Sequence, residues 1–214
     1  MDIEFMRLGA ETPGVATAAN ADSVAQDLAD AFALDPVFTW FSRADDRRDA
    51  ARLAFFRHLM KALVLGSGEV LRPSSGGAAA VWIPSEALGA VPLHKELQGL
   101  PLLLGLTGWS RFWRLLQLRD AMDRHHPMDR PHAYLWFLGV TPPAQGHGVG
   151  SRLLKAKIDQ LDAERRPAFL ETATERNVAL YRRHGFEVVA EYRPGASGPT
   201  NWAMWRNPRR PLAG

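Results

Sequence analysis

The stretch VTPPAQGHGVGSRLL at 140–154 constrains this chain more than any other. It follows AYLWFLGV (133–140), a continuous apolar run of the kind a strand shows when both faces are covered. After it, Val149, Leu153, Leu154, Ile158 and Leu161 recur at helical spacing. Between strand and helix, Gly146, Gly148 and Gly150 alternate. Such a turn places free N–H groups at the positive end of a helix dipole, and without Cβ atoms a phosphate can approach the main chain itself. A plain glycine-rich connection would share the composition, so the turn needs support from elsewhere in the chain.

Apolar periodicity and chain breakers mark the other elements. MDIEFMRLGAETPG carries acids where a signal peptide would carry cations, and 1–12 reads as a short, loosely held tail. PGVATAA (13–19) is expected as a first strand. Asn20 or Asp22 then caps a helix with Val24, Leu28, Ala31 and Phe32, stopped by Asp35-Pro36. A second helix over about 46–65 places Leu53, Phe56, Leu59, Met60 and Leu63 on one face. GEVLRP (68–73) and AAAVWIP (78–84) read as strands around a serine-glycine turn. From 85 to 130 the pattern is least regular. Leu103, Leu106, Trp109, Phe112, Trp113 and Leu116 keep helical spacing, and RDAMDRHHPMDRPH closes the segment as a polar loop. RPAFLET (166–172) is the next strand, Thr174 caps a helix ending at Gly185, and FEVVAEY and TNWAMW are two closing strands. Strand, helix, strand, helix and a strand pair make an α/β arrangement. One domain over 13–207 is expected, followed by a proline-broken tail at 208–214.

Two nucleotide-binding signatures come near the glycine turn and fail. A P-loop needs GxxxxGK followed by Ser or Thr, and no such lysine is present. The dinucleotide fingerprint needs GxGxxG, whereas the spacing here is GxGxG, although Glu171 imitates the ribose-binding acid about 20 residues on. The pattern that fits is V-x-P-x-x-Q-G-x-G-x-G, through Val140, Pro142, Gln145, Gly146, Gly148 and Gly150. There the chain resembles the GNAT superfamily of acyl-CoA-dependent N-acyltransferases. NVALYRRHGFEVV (177–189) supports it, being similar to that family's N-x-x-x-Y-x-x-x-G-F. A narrower resemblance, carried by FLETATERNVALYRRHGFEVVAEY, GPTNWAMWRNP, DLADAFALDPV and GGAAAVWIPSEA, is to the puromycin N-acetyltransferase branch. It thins out between 87 and 130, so the expected substrate-side segment 85–130 brings no substrate with it.

The resemblance implies a GNAT fold: a mixed central sheet of about six to seven strands, splayed between the fourth and fifth and flanked by helices. It implies acetyl-CoA as cofactor. The pyrophosphate of coenzyme A would sit on backbone N–H groups from Gln145, Gly146, His147, Gly148, Val149, Gly150 and Ser151. Leu138 and Val140 would bond the pantetheine arm through their main chains, Gly139 would permit the bulge a splay needs, and Asn177 would touch the arm. Tyr181 matches the tyrosine suited to protonating the departing thiolate. Glu171 is the first choice for the base, with Asp35 and Glu69 as weaker options. His147 either serves as a base or points outward from the turn, and the outward reading is preferred.

Composition narrows the chemistry further. With no cysteine among 214 residues, disulfides, thiolate metal sites and an acyl-cysteine relay are excluded, and a reducing cytoplasm fits. The net charge of +3 comes with scattered arginines often next to acids, so it reads as solvated surface or as a mild field for an anionic ligand. There is no basic tract for nucleic acid, no stretch to span a membrane and no HExxH, and His125-His126 is expected to be solvated rather than metal-bound. The expected activity is acetyl transfer by direct attack of a small-molecule primary amine. A protein or peptide acetyltransferase and a non-catalytic acyl-CoA sensor are the rivals, and a homodimer remains open.

Overall fold

The computed structural model describes residues 2–64, 68–88 and 93–209, without the side chains of 63, 64 and 93–98. Seven strands form one sheet: β1 (Gly14–Val15), β2 (Glu69–Arg72), β3 (Ala78–Pro84), β4 (Ala133–Val140), β5 (Ala168–Thr172), β6 (Glu187–Tyr192) and β7 (Asn201–Arg206). Their order is β1-β2-β3-β4-β5-β7-β6. Every neighbouring pair is antiparallel except β4 with β5. This is the mixed sheet expected, with a much shorter first strand. Past Val15 the chain turns, because the Asn20 side chain accepts from the Thr17 N–H at 2.8 Å instead of capping the helix that follows.

That helix, α2 (Ala21–Ala31), packs with α4 (Arg48–Val64) on one face of the sheet. Val24, Leu28, Phe56 and Met60 meet Val81 and Phe137 there. On the other face α7 (Val149–Ala163) sets Leu153, Leu154, Ile158 and Leu161 against Ala80, Trp82, Leu135 and Leu170, and α8 (Glu175–Arg183) adds Val178 and Tyr181. Alternating β3 residues thus serve two cores, the period-2 signature of a covered strand. Leu63, expected on the inner face of α4, lies outside the described side chains.

The opening residues are not a tail. They form α1 (Ile3–Glu11), capped by the Asp2 carboxylate, which accepts from Glu4 N–H at 3.0 Å and Phe5 N–H at 3.3 Å. Met6 and Ala10, one helical turn apart, are fully buried in the core that α7 shares, an anchor that outweighs the local polarity. In the irregular segment the helical spacing divides into α5 (Leu93–Thr107) and α6 (Phe112–His125), separated at Gly108, where φ is +64°. The first half of the expected polar loop is therefore helix: RDAMDRH belongs to α6. His126 follows it, partly buried, with its Nε2 3.1 Å from that of His132, so the adjacent histidines are not simply solvated. Among the described residues no helix is long and apolar enough to cross a membrane.

Candidate active site

β4 and β5 run together only at Ala133 with Ala168, Tyr134 with Phe169 and Leu135 with Leu170. Beyond these pairs β4 continues along β3 to Val140 and β5 along β7 to Thr172, so a wedge opens between them. A bulge starts the divergence. Val81 pairs with Phe137 and Trp82 with Leu135, which leaves Trp136 as the extra residue. It also changes parity: Leu135 and Leu138 both pack toward the α7 core. Gly139 was expected to carry the bulge, but its role is different. A Cβ there would lie 2.8 Å from Leu28 Cδ2 and 3.0 Å from Ala31 Cβ, so glycine admits the close approach of α2.

The glycine turn sits at the end of β4. Thr141 N–H and Oγ1 both bond the Gly77 carbonyl, at 2.9 and 3.1 Å, and Gln145 Nε2 donates to the Val140 carbonyl at 3.0 Å. Gly148 is the left-handed N-cap of α7, and the first-turn N–H groups of Val149, Gly150 and Ser151 have no carbonyl earlier in the helix to bond. A groove of about 450 Å³ opens onto them. It is lined by Leu138, Gly139, Val140, Gln145, Gly146, Gly148, Val149, Gly150, Ser151, Asn177 and Tyr181. Of the residues expected to touch the cofactor, His147 alone is absent from that lining, and it is exposed. A Cβ on Gly146 would meet nothing within 4 Å, which leaves the cradle open to a bulky anion. Arg176 and Arg183 line the same groove, favourable company for phosphate that sequence patterning did not single out. Ser151 Oγ lies 2.7 Å from His184 Nε2, a partner also missed.

Tyr181 is buried on this face. Burial, and secondarily the charge of Asp35, push its phenol far above the ordinary value, so it stays protonated through neutral pH. Asp35 itself lines the groove and caps α3 (Pro36–Phe41), accepting from Val37 and Phe38 N–H at 2.9 Å. Its carboxyl is raised, because desolvation exceeds the help of those two N–H groups.

Glu171 lies elsewhere: on β5 at the first position past the last β4 pair, beside Phe169's face of the sheet, opposite α7. Burial lifts its carboxyl to about 7, against hydrogen bonds from the Tyr192 and Tyr134 hydroxyls that lower it. Glu69, the other strand carboxylate considered, is engaged by the buried Lys157 ammonium. The structure thus separates the two leading site residues by the sheet, with the wedge between them.

Comparison with known proteins bears directly on this geometry. The acetyltransferase (GNAT) family model matches residues 103–186, which span α6, the wedge, the glycine turn and α8. A crystal structure from Corynebacterium glutamicum, described as a histone acetyltransferase HPA2 and related acetyltransferase, is 27% identical. It aligns over 94% of this chain and 99% of its own, with a TM-score of 0.67. The chain has the GNAT acetyltransferase fold. A curated relative, the mycothiol acetyltransferase of Propionibacterium freudenreichii subsp. shermanii, is 42% identical over 64 residues, 28% of this chain and 20% of that protein. The chain therefore matches only about a fifth of that relative's length. Arylalkylamine N-acetyltransferase 2 from Aedes aegypti shares the GNAT fold at 12% identity, with a TM-score of 0.65 over 92% of this chain and 98% of its own.

Proposed function

We propose that this GNAT protein transfers the acetyl group of acetyl-CoA to the primary amine of a small molecule by direct attack. The observation that carries the reading is the wedge, with a glycine cradle and a buried tyrosine on one face and a half-buried carboxylate on the other. The residues present suit coenzyme A: three glycines, the unpaired N–H groups of Val149 to Ser151, and Arg176 and Arg183 at the groove. Gln145 to Ser151 would hold the pyrophosphate through backbone N–H groups, and Leu138, Val140 and Asn177 the arm. Bound there, acetyl-CoA supplies an activated acyl thioester and a thiol leaving group.

The protein's part is to move two protons. An alkylammonium with a pKa of about 10.4 must lose one before it attacks. Passing it to a carboxylate at about 7 rather than 4.5 lowers the uphill step from about 8 to about 5 kcal/mol. In this reading Glu171 takes it. Tyr181 gives a proton to the departing sulfur. Burial keeps that phenol protonated at neutral pH, so the proton is there to give.

A small acceptor is favoured because α6, from the segment expected on the substrate side, packs over Glu171's face of the sheet, with Ala121 buried against Tyr134 and Tyr192. The puromycin-like branch stays a proposal resting on the sequence resemblance. A protein or peptide acceptor is the second reading, favoured by the Corynebacterium glutamicum structure's description as a histone acetyltransferase. The lack of cysteine is compatible with a cytoplasmic setting.

The test is thiol release from acetyl-CoA across a panel of small amines, puromycin included, and a panel of peptides, with Tyr181→Phe alongside. Turnover on small amines that falls about 10²- to 10⁴-fold in the variant, with acetyl-CoA binding kept, is expected. Turnover on peptides alone would overturn the acceptor class, and acetyl-CoA binding with no turnover on either panel would favour a sensor.

A further inference from the structure

Glu171 does not stand alone, and nothing in the family signature assigns its neighbours. Its Oε2 accepts from the Tyr134 hydroxyl at 3.1 Å, and its Oε1 accepts a short hydrogen bond from the Tyr192 hydroxyl. The two phenols come from different strands, β4 and β6, on either side of β5's neighbourhood. Cross-strand register explains how Tyr192 reaches so far. Glu171 pairs with Ala203 on β7, and Ala203 pairs with Ala190 on β6. Two alanines in that row leave room for the Tyr192 ring, two residues beyond Ala190, to lean across β7. The His125 ring then lies parallel on Tyr192, with centroids 4.2 Å apart at 5°, and its Nδ1 donates to the Ala121 carbonyl at 2.7 Å. The Tyr134 ring is met edge-on by His126 at 4.8 Å. Both rings are therefore held by α6 and the residue after it.

We propose that Tyr134 and Tyr192 are positioning residues, one hydroxyl on each carboxylate oxygen, that fix Glu171 at the mouth of the wedge and keep it ionisable there as the base. The inference rests on the reading of Glu171 as the proton acceptor. A carboxylate at such a site has several soft torsions, and a bond at each oxygen from opposite sides removes that freedom. Both bonds favour the anion, so they oppose the desolvation that would otherwise keep the group protonated. The other titratable groups around it come from α6 and its end: Asp123, whose charge acts against ionisation, and the imidazoles of His125 and His126. His132, before β4, packs on Phe169 and His126. Among the described residues no cation is ion-paired with Glu171, so the two phenols are its stabilising partners.

The experiment compares Tyr192→Phe and Tyr134→Phe with the parent protein by two readouts. One is the pH dependence of kcat/KM for amine acetylation. The other is the Glu171 titration followed by ¹³C NMR of glutamate-labelled protein, assigned with Glu171→Gln and needing no acetyl-CoA. Loss of a hydrogen bond to a charged group should move the midpoint up by about one to two pH units. The acidic limb of the profile is expected to move with it, while acetyl-CoA binding on the opposite face stays unchanged. An NMR midpoint unmoved in both variants overturns the proposal, as does equal loss of acetyl-CoA binding and thermal stability. If Glu171→Gln leaves the acidic limb in place, the base reading fails by itself. The NMR titration then still reports whether the phenols hold the carboxylate.

Discussion

At Glu171 a single side chain trades stability for reactivity. Its carboxyl titrates near 7 in the fold against an ordinary value of 4.5. Between these values the native protein binds more protons than the unfolded chain. The group's contribution to stability is therefore complete below about 4.5 and is lost as pH rises through 7. Glu171→Gln, neutral throughout, should be the more stable protein at pH 8, by on the order of 1 to 3 kcal/mol, and no more stable at pH 4. Urea denaturation at the two pH values checks the sign, and equal stability at pH 8 would show that the carboxylate is not desolvated in solution. Tyr181 is the complementary case, a buried phenol whose proton is held, so its phenylalanine variant should keep the fold and lose the rate.

Gly148 shows how an element's start and a ligand site share the same residues. It stands at φ +78° as the N-cap of α7, where a Cβ would also lie 2.7 Å from Arg152 Nη1. Gly148→Ala should cost about 1 kcal/mol from the left-handed backbone and should weaken acetyl-CoA binding, since the cradle's N–H groups turn with it. Calorimetric titration with acetyl-CoA, next to a thermal melt, separates the two effects. The same element was legible in detail from sequence, because strand 133–140, the glycines and the apolar stripe of α7 each obey a local period. α1 was not. Its apolar residues are spread around the helix, with Phe5 and Leu8 exposed, and only the presence of α7 beneath Met6 and Ala10 makes those two a docking face.

Across the whole molecule, Asp162 at the end of α7 fastens the last strand. Both its oxygens accept from Arg206 at 2.7 Å, and it also accepts from Arg209 N–H at 2.8 Å. Arg206 is almost fully buried and donates as well to the His184 carbonyl after α8. Asp162→Ala leaves that guanidinium without its charge partner and should cost about 3 to 5 kcal/mol. A chemical denaturation curve would show it, and a loss below 1 kcal/mol would mean that water reaches Arg206. The bond joins α7, α8 and β7, the elements that frame the cofactor face, so cofactor affinity should fall with stability in this variant.

Outside α1 and the 85–130 segment, the main strands and helices, the glycine turn and the tyrosine of α8 were set by the sequence alone, since periodicity, capping and turn chemistry act over a few residues. Glu171 too was visible as a carboxylate on a strand. What it does was not, because its partners Tyr134 and Tyr192 are 37 and 21 residues away and meet it only through register. The bulge belongs at Trp136 rather than Gly139 for a similar reason: which residue of β4 lacks a partner depends on β3, 50 residues earlier or more. Local chemistry chose the elements, and the pairing of distant strands decided which side chains face one another across the wedge.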